Sequence, residues 1–157
     1  MKVSVFQMNK CIGLFGTCDN IKWRDQFMEA YNKLGISYFN PMVENWDPSL
    51  AEIEAKHLAE DEIILFPILK ESYGLGSLAE VAFGPLKALH NKQNRQFIIL
   101  VDNDLVDSLK EDKLLAKNSI RARNLVKAHL KDLNMDNVHV VETLDEMLKL
   151  SLELHNV

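Results

Sequence analysis

The chain has 157 residues, of which 47% are hydrophobic and 26% charged, and its formal net charge is −5. This length is typical of one domain with a substantial core, and the composition excludes a disordered or low-complexity chain. The acidic balance argues against binding to polymeric nucleic acid, since phosphate contacts require clustered lysine and arginine.

Short apolar segments alternate with stretches of helical periodicity along the chain. Strands are predicted at 3–6, 11–15, 36–39, 62–69, 96–101 and 138–141. Of the first two, 11–15 is the better core strand, because it leads directly into the turn residues GTCDN. Helices are predicted from about Ile21 to Leu34, Ser49 to Glu60, Ser77 onward, Asp104 to Leu133 and Thr143 to Leu154. Gly35 is predicted to end the first helix, and Gly84-Pro85 to kink or break the third. Strands that are apolar throughout and alternate with helices are typical of a parallel sheet covered on both faces. We therefore predict one α/β domain over residues 1–157: a doubly wound, five-stranded parallel sheet of flavodoxin-like order 2-1-3-4-5.

The cysteines and histidines form no recognisable metal or disulfide pattern. Cys11 and Cys18 lie outside any CxxC arrangement, and the five histidines form no HxH or HxxxH pair, so we expect no metal and no cofactor. The longest apolar run, Ile63 to Leu69, is much shorter than the roughly 20 residues of a membrane-spanning helix. These features favour a cytoplasmic protein with free thiols and no membrane partner.

Glu80 has two interpretations. Ser77-Leu78-Ala79-Glu80 reads S-x-x-E, the capping box of a helix start, and similar patterns at Ser49–Glu52 and Thr143–Glu146 are most simply caps. Only Glu80 is preceded by a glycine-rich turn, Gly74-Leu75-Gly76, which lets the backbone approach a ligand closely. Glu80 also follows the strand predicted at 62–69, and in such sheets ligands bind beyond the carboxyl ends of the strands.

Other candidate residues also have ordinary structural explanations. The segment 16–20 can be a turn in which Asp19 or Asn20 caps the next helix, and Asp61 can belong to a solvated acidic cluster with its neighbours. Trp46 lies in a polar loop, where it can stack on a base or serve as a local hydrophobic anchor. Arg121 and Arg123 fit a solvated helix face, although they can also reach a phosphate.

Four segments, in this order, resemble the nucleoside 2-deoxyribosyltransferase-like family: LFGTCDNIKWRDQF (14–27), GISYFNPMVENWDP (35–48), EDEIILFPI (60–68) and GLGSLAEVA (74–82). The resemblance implies a flavodoxin-like fold and cleavage of the N-glycosidic bond between a nucleobase and deoxyribose. It implies that Glu80 is the nucleophile and that Asp61 assists proton transfer at the base. The substrate-binding residues expected are Gly16, Thr17, Asp19, Asn20, Trp46, Tyr73, Gly74, Gly76 and Ser77, with Trp23 as further stacking surface.

The implied chemistry is a double displacement. Attack by Glu80 on C1′ would form a glycosyl ester, which a second base or water would discharge with net retention. The expected partners are a nucleoside or nucleotide and a free nucleobase, and the family implies a homo-oligomer in which neighbouring subunits complete each site. The alternative is a nucleotide- or signal-binding module on the same fold without turnover, because a fold does not determine a function.

Overall fold

Five parallel strands form the central sheet. A computed structural model describes residues 10–45 and 47–156. The strands are Ile12–Leu14 (β1), Tyr38–Phe39 (β2), Ile63–Ile68 (β3), Gln96–Val101 (β4) and Val138–Val140 (β5). Their order is β2-β1-β3-β4-β5, with every neighbouring pair parallel. This confirms the predicted flavodoxin-like sheet; the strand predicted at 3–6 lies outside the described residues.

Helices cover both faces of the sheet. Their bounds are Trp23–Leu34 (α1), Pro48–Glu60 (α2), Leu75–Glu80 (α3), Phe83–His90 (α4), Lys113–Leu133 (α5) and Leu144–His155 (α6). Within the described ranges, none of them combines the length and the apolar character needed to cross a bilayer. As predicted, α1 ends at Gly35, which adopts a left-handed conformation with φ of +68°.

The core lies in two layers because successive residues of β3 point to opposite faces. Ile63 and Leu65 pack with α1 and α6, whereas Ile64, Phe66 and Ile68 pack with α3, α4 and α5. All six residues of β3 are buried. Burial on both faces explains why the strand is apolar without alternation.

One predicted helical region is divided and one predicted helix break is misplaced. The helical region predicted over 104–133 consists of a short 3-10 helix at Asp107–Lys110 followed by α5, which Asp112 caps. The break predicted at Gly84-Pro85 instead occurs before it, at Val81 and Ala82. Pro85 lies in the first turn of α4, where a helix does not use the backbone N–H that proline lacks.

Only one of the three predicted capping boxes forms. At Thr143 the hydroxyl accepts the N–H of Glu146 at 3.1 Å, and the Glu146 carboxylate accepts backbone N–H groups in return. Helix α2 starts one residue earlier than Ser49 and is capped by Asp47, while α3 begins after Gly74 with no side-chain cap. The pattern S/T-x-x-E therefore marks a helix start here without fixing which residue caps it.

Replacing Thr143 with alanine is expected to lower the free energy of unfolding by about 1 kcal/mol, because the first turn of α6 loses its acceptor. Ser77→Ala is the matched control, since Ser77 makes no capping bond, and it should change stability by less than about 0.5 kcal/mol. Urea unfolding measures both. Equal losses in the two variants would contradict the assignment of the caps.

Helix α2 contributes no buried residue to the core. Leu58 is its main apolar contact with the α3–α5 face, while Ile53 is 47% exposed. The helix therefore lies on the surface of the fold and forms the outer wall of a groove described below.

Candidate functional site

A cleft opens where β1 and β3 end, at the point where the strand order reverses. The carboxyl ends of neighbouring parallel strands lie at the same edge of the sheet. Where the loops after two neighbouring strands run in opposite directions, a crevice forms between them. The cleft has a volume of about 600 Å³ and is lined by Gly16, Thr17, Cys18, Asp19, Ser72, Tyr73, Gly74, Leu75, Gly76, Ser77, Ala79 and Glu80. Eight of the residues predicted for the site are therefore brought together: Gly16, Thr17, Asp19, Tyr73, Gly74, Gly76, Ser77 and Glu80.

Pro67 limits the pairing of β1 with β3. The N–H of Ile63 donates to the carbonyl of Cys11 at 3.3 Å, so alternate residues of β3 direct their N–H groups at β1. At Pro67 that donor is absent, and β1 has already ended at Leu14. The chain is held instead by Thr17, whose amide and hydroxyl donate to the Pro67 carbonyl at 2.9 and 3.3 Å. This arrangement ties the first loop to the end of β3 beside the cleft.

Arg24 holds the first loop from inside the protein. Its side chain is buried, and its Nε donates to the carbonyl of Leu14 at 2.9 Å and its Nη1 to that of Thr17 at 3.0 Å. Its Nη2 lies 3.4 Å from the carbonyl of Phe15 and 3.5 Å from that of Gly16. One guanidinium thus donates hydrogen bonds to carbonyl groups at and beyond the end of β1, where the hydrogen bonding between strands stops.

Gly16→Ala is expected to destabilise the protein by about 2 kcal/mol or more. Gly16 has φ of +92°, and a Cβ there would overlap the carbonyl oxygen and the ring of Pro67. Gly76→Ala is the matched control, because Gly76 is helical and no atom lies within 4 Å of its added Cβ. It should be neutral or slightly stabilising. Thermal unfolding compares the two, and similar losses would contradict a special conformation at Gly16.

The second loop of the cleft is a tight turn built on Ser72 and Gly74. The amide of Gly74, at φ of +63°, donates to the hydroxyl of Ser72 at 3.0 Å. The hydroxyl of Ser119 donates to the carbonyl of Tyr73 at 2.7 Å, and the Tyr73 hydroxyl donates to the carbonyl of Leu109 at 2.8 Å. The Tyr73 ring therefore borders the cleft while its hydroxyl is already engaged with the protein.

Arg123 is fully buried, which overturns both interpretations of this residue, as part of a solvated helix face and as a residue that can reach a phosphate. Its Nη1 donates to the carbonyls of Ile68 and Asp102 at 3.0 and 3.1 Å. Its Nη2 donates to those of Leu69 and Ser72 at 3.0 and 2.6 Å. The planar, five-donor guanidinium can serve diverging carbonyls at once, so Arg123 fastens the loops after β3 and β4 together.

Glu80 is the last residue of α3 and borders the cleft. Among the described residues, none donates a hydrogen bond to its carboxylate, and the predicted cap with Ser77 is not formed. Partial burial raises the pKa of the Glu80 carboxyl, and the neighbouring carboxylate of Glu54 raises it further. The helix thus leaves this carboxylate available to a ligand.

Glu80 also borders a second cavity, a groove of about 370 Å³ between α2 and α4. The groove is lined by Phe15, Ala51, Glu54, Ala55, Leu58, Ala59, Glu80, Phe83, Gly84 and Lys87. Its walls are mainly apolar, with two carboxylates and one lysine. Glu80 therefore borders both the cleft, which carries several polar side chains, and the more apolar groove.

Asp61 does not join Glu80, which corrects the expectation that the two form one catalytic pair. Asp61 precedes β3 and lies at the amino edge of the sheet, whereas Glu80 follows the carboxyl end of the same strand. Six strand residues span about 20 Å. The buried Asp61 carboxylate instead contacts Nδ1 of His57 at 2.9 Å; burial raises its pKa and this contact opposes the rise.

Two other predicted contacts, Asn20 and Trp23, do not line the cleft. Asn20 borders a separate surface pocket between the first loop and α1. Trp23 is buried against Phe27, and its indole N–H donates to the carbonyl of Thr17 at 2.9 Å, so it offers no stacking face. Trp46 lies outside the described residues.

Two of the three buried arginines, Arg24 and Arg123, lie on helices and were missed or misassigned, although the sequence contains a signal for them. Arg24 lies three residues before Phe27, on the apolar face of α1. Arg123 lies seven residues after Ala116 and seven before Leu130, again on a buried face. An arginine at the core-facing position of a helix is a sign that it binds backbone carbonyls inside the protein.

No protein-family model, no curated protein and no solved structure matches the chain. The function therefore has to be inferred from the sequence motifs and from the site itself. Within that site, Glu80 combines an available carboxylate with a position between two cavities of different polarity.

Proposed function

We propose that this protein belongs to the nucleoside 2-deoxyribosyltransferase-like family and transfers the glycosyl group of a nucleoside or nucleotide between bases. The observation that carries the proposal is the position of Glu80 between the cleft and the more apolar groove. A nucleoside has a matching arrangement, with a hydroxylated sugar joined at C1′ to a flat base whose faces are aromatic. Glu80 would therefore face the bond that joins them.

The sugar occupies the cleft in this proposal. Asp19 and Ser77 supply polar side chains there, and Gly74 and Gly76 allow the backbone to approach closely. The base occupies the groove, where Phe15 and Phe83 supply aromatic surface. Pockets of a few hundred Å³ with apolar walls and few polar groups are typical small-molecule sites.

Glu80 is the nucleophile. Its ionised carboxylate attacks C1′, the C1′–N bond breaks, and the bonding electron pair leaves with the base nitrogen, which takes up a proton. The nitrogen of a second base then attacks C1′, loses its proton, and releases Glu80 as a carboxylate. Two inversions give net retention, as in retaining glycosidases.

Glu54 replaces Asp61 as the proton carrier in this proposal. It lines the groove assigned to the base, and its carboxylate is near enough to raise the pKa of Glu80. A carboxyl group at this place can pass a proton to the departing base and accept one from the incoming base.

A chromatographic exchange assay tests the proposal. The purified protein is incubated with 2′-deoxynucleosides and with their monophosphates, each with and without a second free base. A new nucleoside that forms only when the second base is present supports the transferase. Free base released without an acceptor would identify a hydrolase with the same nucleophile. Thermal stabilisation by nucleosides without turnover would favour a binding module, and no effect of any substrate would contradict the proposal.

We further propose that the protein forms a homo-oligomer through the surface beside these cavities. Leu75, which lines the cleft, is 55% exposed, and Phe83, which lines the groove, is 62% exposed. Burial of such side chains by a second copy removes apolar surface from water. Sedimentation velocity at micromolar concentration measures the assembly state, and a monomer there would contradict this part of the proposal.

A further inference from the structure

A second cluster of reactive side chains lies at the amino edge of the sheet, away from the cleft. Cys11 precedes β1, His57 lies in the last turn of α2, and Asp61 follows that helix. Their ligating atoms, a thiol sulfur, an imidazole nitrogen and a carboxylate oxygen, all lie within 4.8 Å of one another. Three segments that are separate in the sequence thus converge on one point.

Each member of the cluster is held by a contact outside it. The His57 ring stacks on Phe39 with centroids 3.7 Å apart and an interplanar angle of 3°. The backbone N–H of Cys11 donates to the carboxylate of Glu62 at 2.9 Å. Supporting contacts of this kind fix the orientation of ligands in metal sites.

Arg95 fastens the third segment. Its Nε donates to the carbonyl of Asp61 at 2.8 Å, and its Nη2 donates to that of Leu58 at 2.7 Å. The guanidinium therefore faces backbone oxygens of the turn between α2 and β3. Near this cluster, the one positive charge of Arg95 is fewer than the two negative charges of Asp61 and Glu62, and the Cys11 thiol can add a third when it ionises.

We propose that Cys11, His57 and Asp61 bind a divalent transition-metal ion of the zinc class. Zinc accepts this set of sulfur, nitrogen and oxygen ligands in tetrahedral geometry, with bonds of about 2.0 to 2.3 Å. Such bonds place neighbouring ligand atoms about 3.3 to 3.6 Å apart. The distances from Nδ1 of His57 to the two Asp61 oxygens, 2.9 and 3.1 Å, require only a small separation to admit the ion.

Metal binding here is a ligand exchange. The ion gives up all but one of its bound waters to the three protein ligands, and the remaining water completes the tetrahedron. The Cys11 thiol releases its proton to solvent, and the imidazole proton moves from Nδ1 of His57 to Nε2 through solvent, so that Nδ1 can bind the ion. The His57 side chain is 32% exposed, whereas that of Asp61 is 6% exposed, so the ion enters from the imidazole side. A hard cation such as Mg²⁺ is disfavoured because it prefers oxygen ligands.

Cobalt titration of the metal-free full-length protein tests the site. One equivalent of Co²⁺ is expected to bind with a thiolate-to-cobalt charge-transfer band and intense tetrahedral d–d bands, and Zn²⁺ should displace it. Cys11→Ser should remove the charge-transfer band. Cys18→Ser is the matched control, because Cys18 is the other thiol and lies outside the cluster, and it should retain the full spectrum.

His57→Ala should weaken Co²⁺ binding by more than about tenfold, since even residues that only support a metal ligand are worth about 10- to 100-fold. A second measurement does not depend on these variants folding: Zn²⁺ should slow alkylation of Cys11 and leave that of Cys18 unchanged, as mass spectrometry of the wild-type protein can determine. The proposal is overturned if wild type gives no thiolate band, if Cys11→Ser keeps it, or if both thiols react equally with and without Zn²⁺. In those cases the three side chains form only a hydrogen-bonded cluster.

Discussion

Glu80→Gln is expected to abolish glycosyl exchange, with a loss of at least about 10³-fold in turnover. Glutamine keeps the size of the side chain but is neutral and cannot form the ester with C1′. The folded protein should be unaffected, because no described residue bonds to the Glu80 carboxylate. Exchange kinetics, combined with thermal unfolding of the same sample, separate a chemical effect from a structural one.

Glu52→Gln is the matched control for this variant. Glu52 is an exposed glutamate of α2 that lines neither the cleft nor the groove, so its replacement should leave turnover unchanged. In wild type, activity should fall as the pH drops through a value above the ordinary pKa of glutamate, because Glu80 must be ionised and its pKa is raised. Full activity of Glu80→Gln, or equal losses in both variants, would contradict the nucleophile assignment.

Arg123→Lys is expected to lower the free energy of unfolding by about 3 kcal/mol or more. The lysine ammonium cannot reproduce the fork that serves the carbonyls of Ile68, Asp102, Leu69 and Ser72, so buried acceptors lose their donors. For a chain of this length the melting temperature should fall by about 6 to 12 °C. Nucleoside binding should weaken as well, since the Ser72 turn forms one side of the cleft.

Arg121→Lys provides the comparison, because Arg121 is an exposed arginine two residues away on the same helix. Its replacement should change the free energy of unfolding by less than about 0.5 kcal/mol. If both variants had melting temperatures near that of the wild type, the hydrogen bonds of Arg123 would not be stabilising the loops after β3 and β4. If both were strongly destabilised, the loss would reflect α5 rather than the buried hydrogen bonds.

The sheet could be predicted from the sequence because its strongest signals are local. β3 and β4 are short, apolar throughout and bounded by polar residues, and Gly35 ends α1 with the conformation that glycine favours. The helix starts were predicted less well. Asp47 caps α2 two residues before Ser49, and Gly74 starts α3 three residues before Ser77. In both helices the start is therefore set by a residue that lies ahead of the S-x-x-E motif.

Site residues could be predicted from the sequence where they directly follow a strand, because strand direction places them at one edge of the sheet. Residues that reach the site through the packing of a helix could not. Residues after β1 and β3 were expected to meet, and the cleft brings Gly16 and Glu80 together. Asp61 adjoins the same strand in the sequence, but at the opposite end. Glu54 reaches the site from the surface of α2, and no local pattern marks which glutamate of a helix will border a groove.

The absence of buried residues from α2 has a consequence for motion. Amide protons of β3 exchange with solvent only when the whole domain unfolds, whereas those of α2 can exchange through a partial opening of much lower free energy. Because Arg95 donates to the carbonyls of Leu58 and Asp61, the carboxyl-terminal end of α2 is expected to stay attached in such an opening and to exchange more slowly than the amino-terminal turns. The opening would widen the groove beside Glu80 and leave the sheet intact.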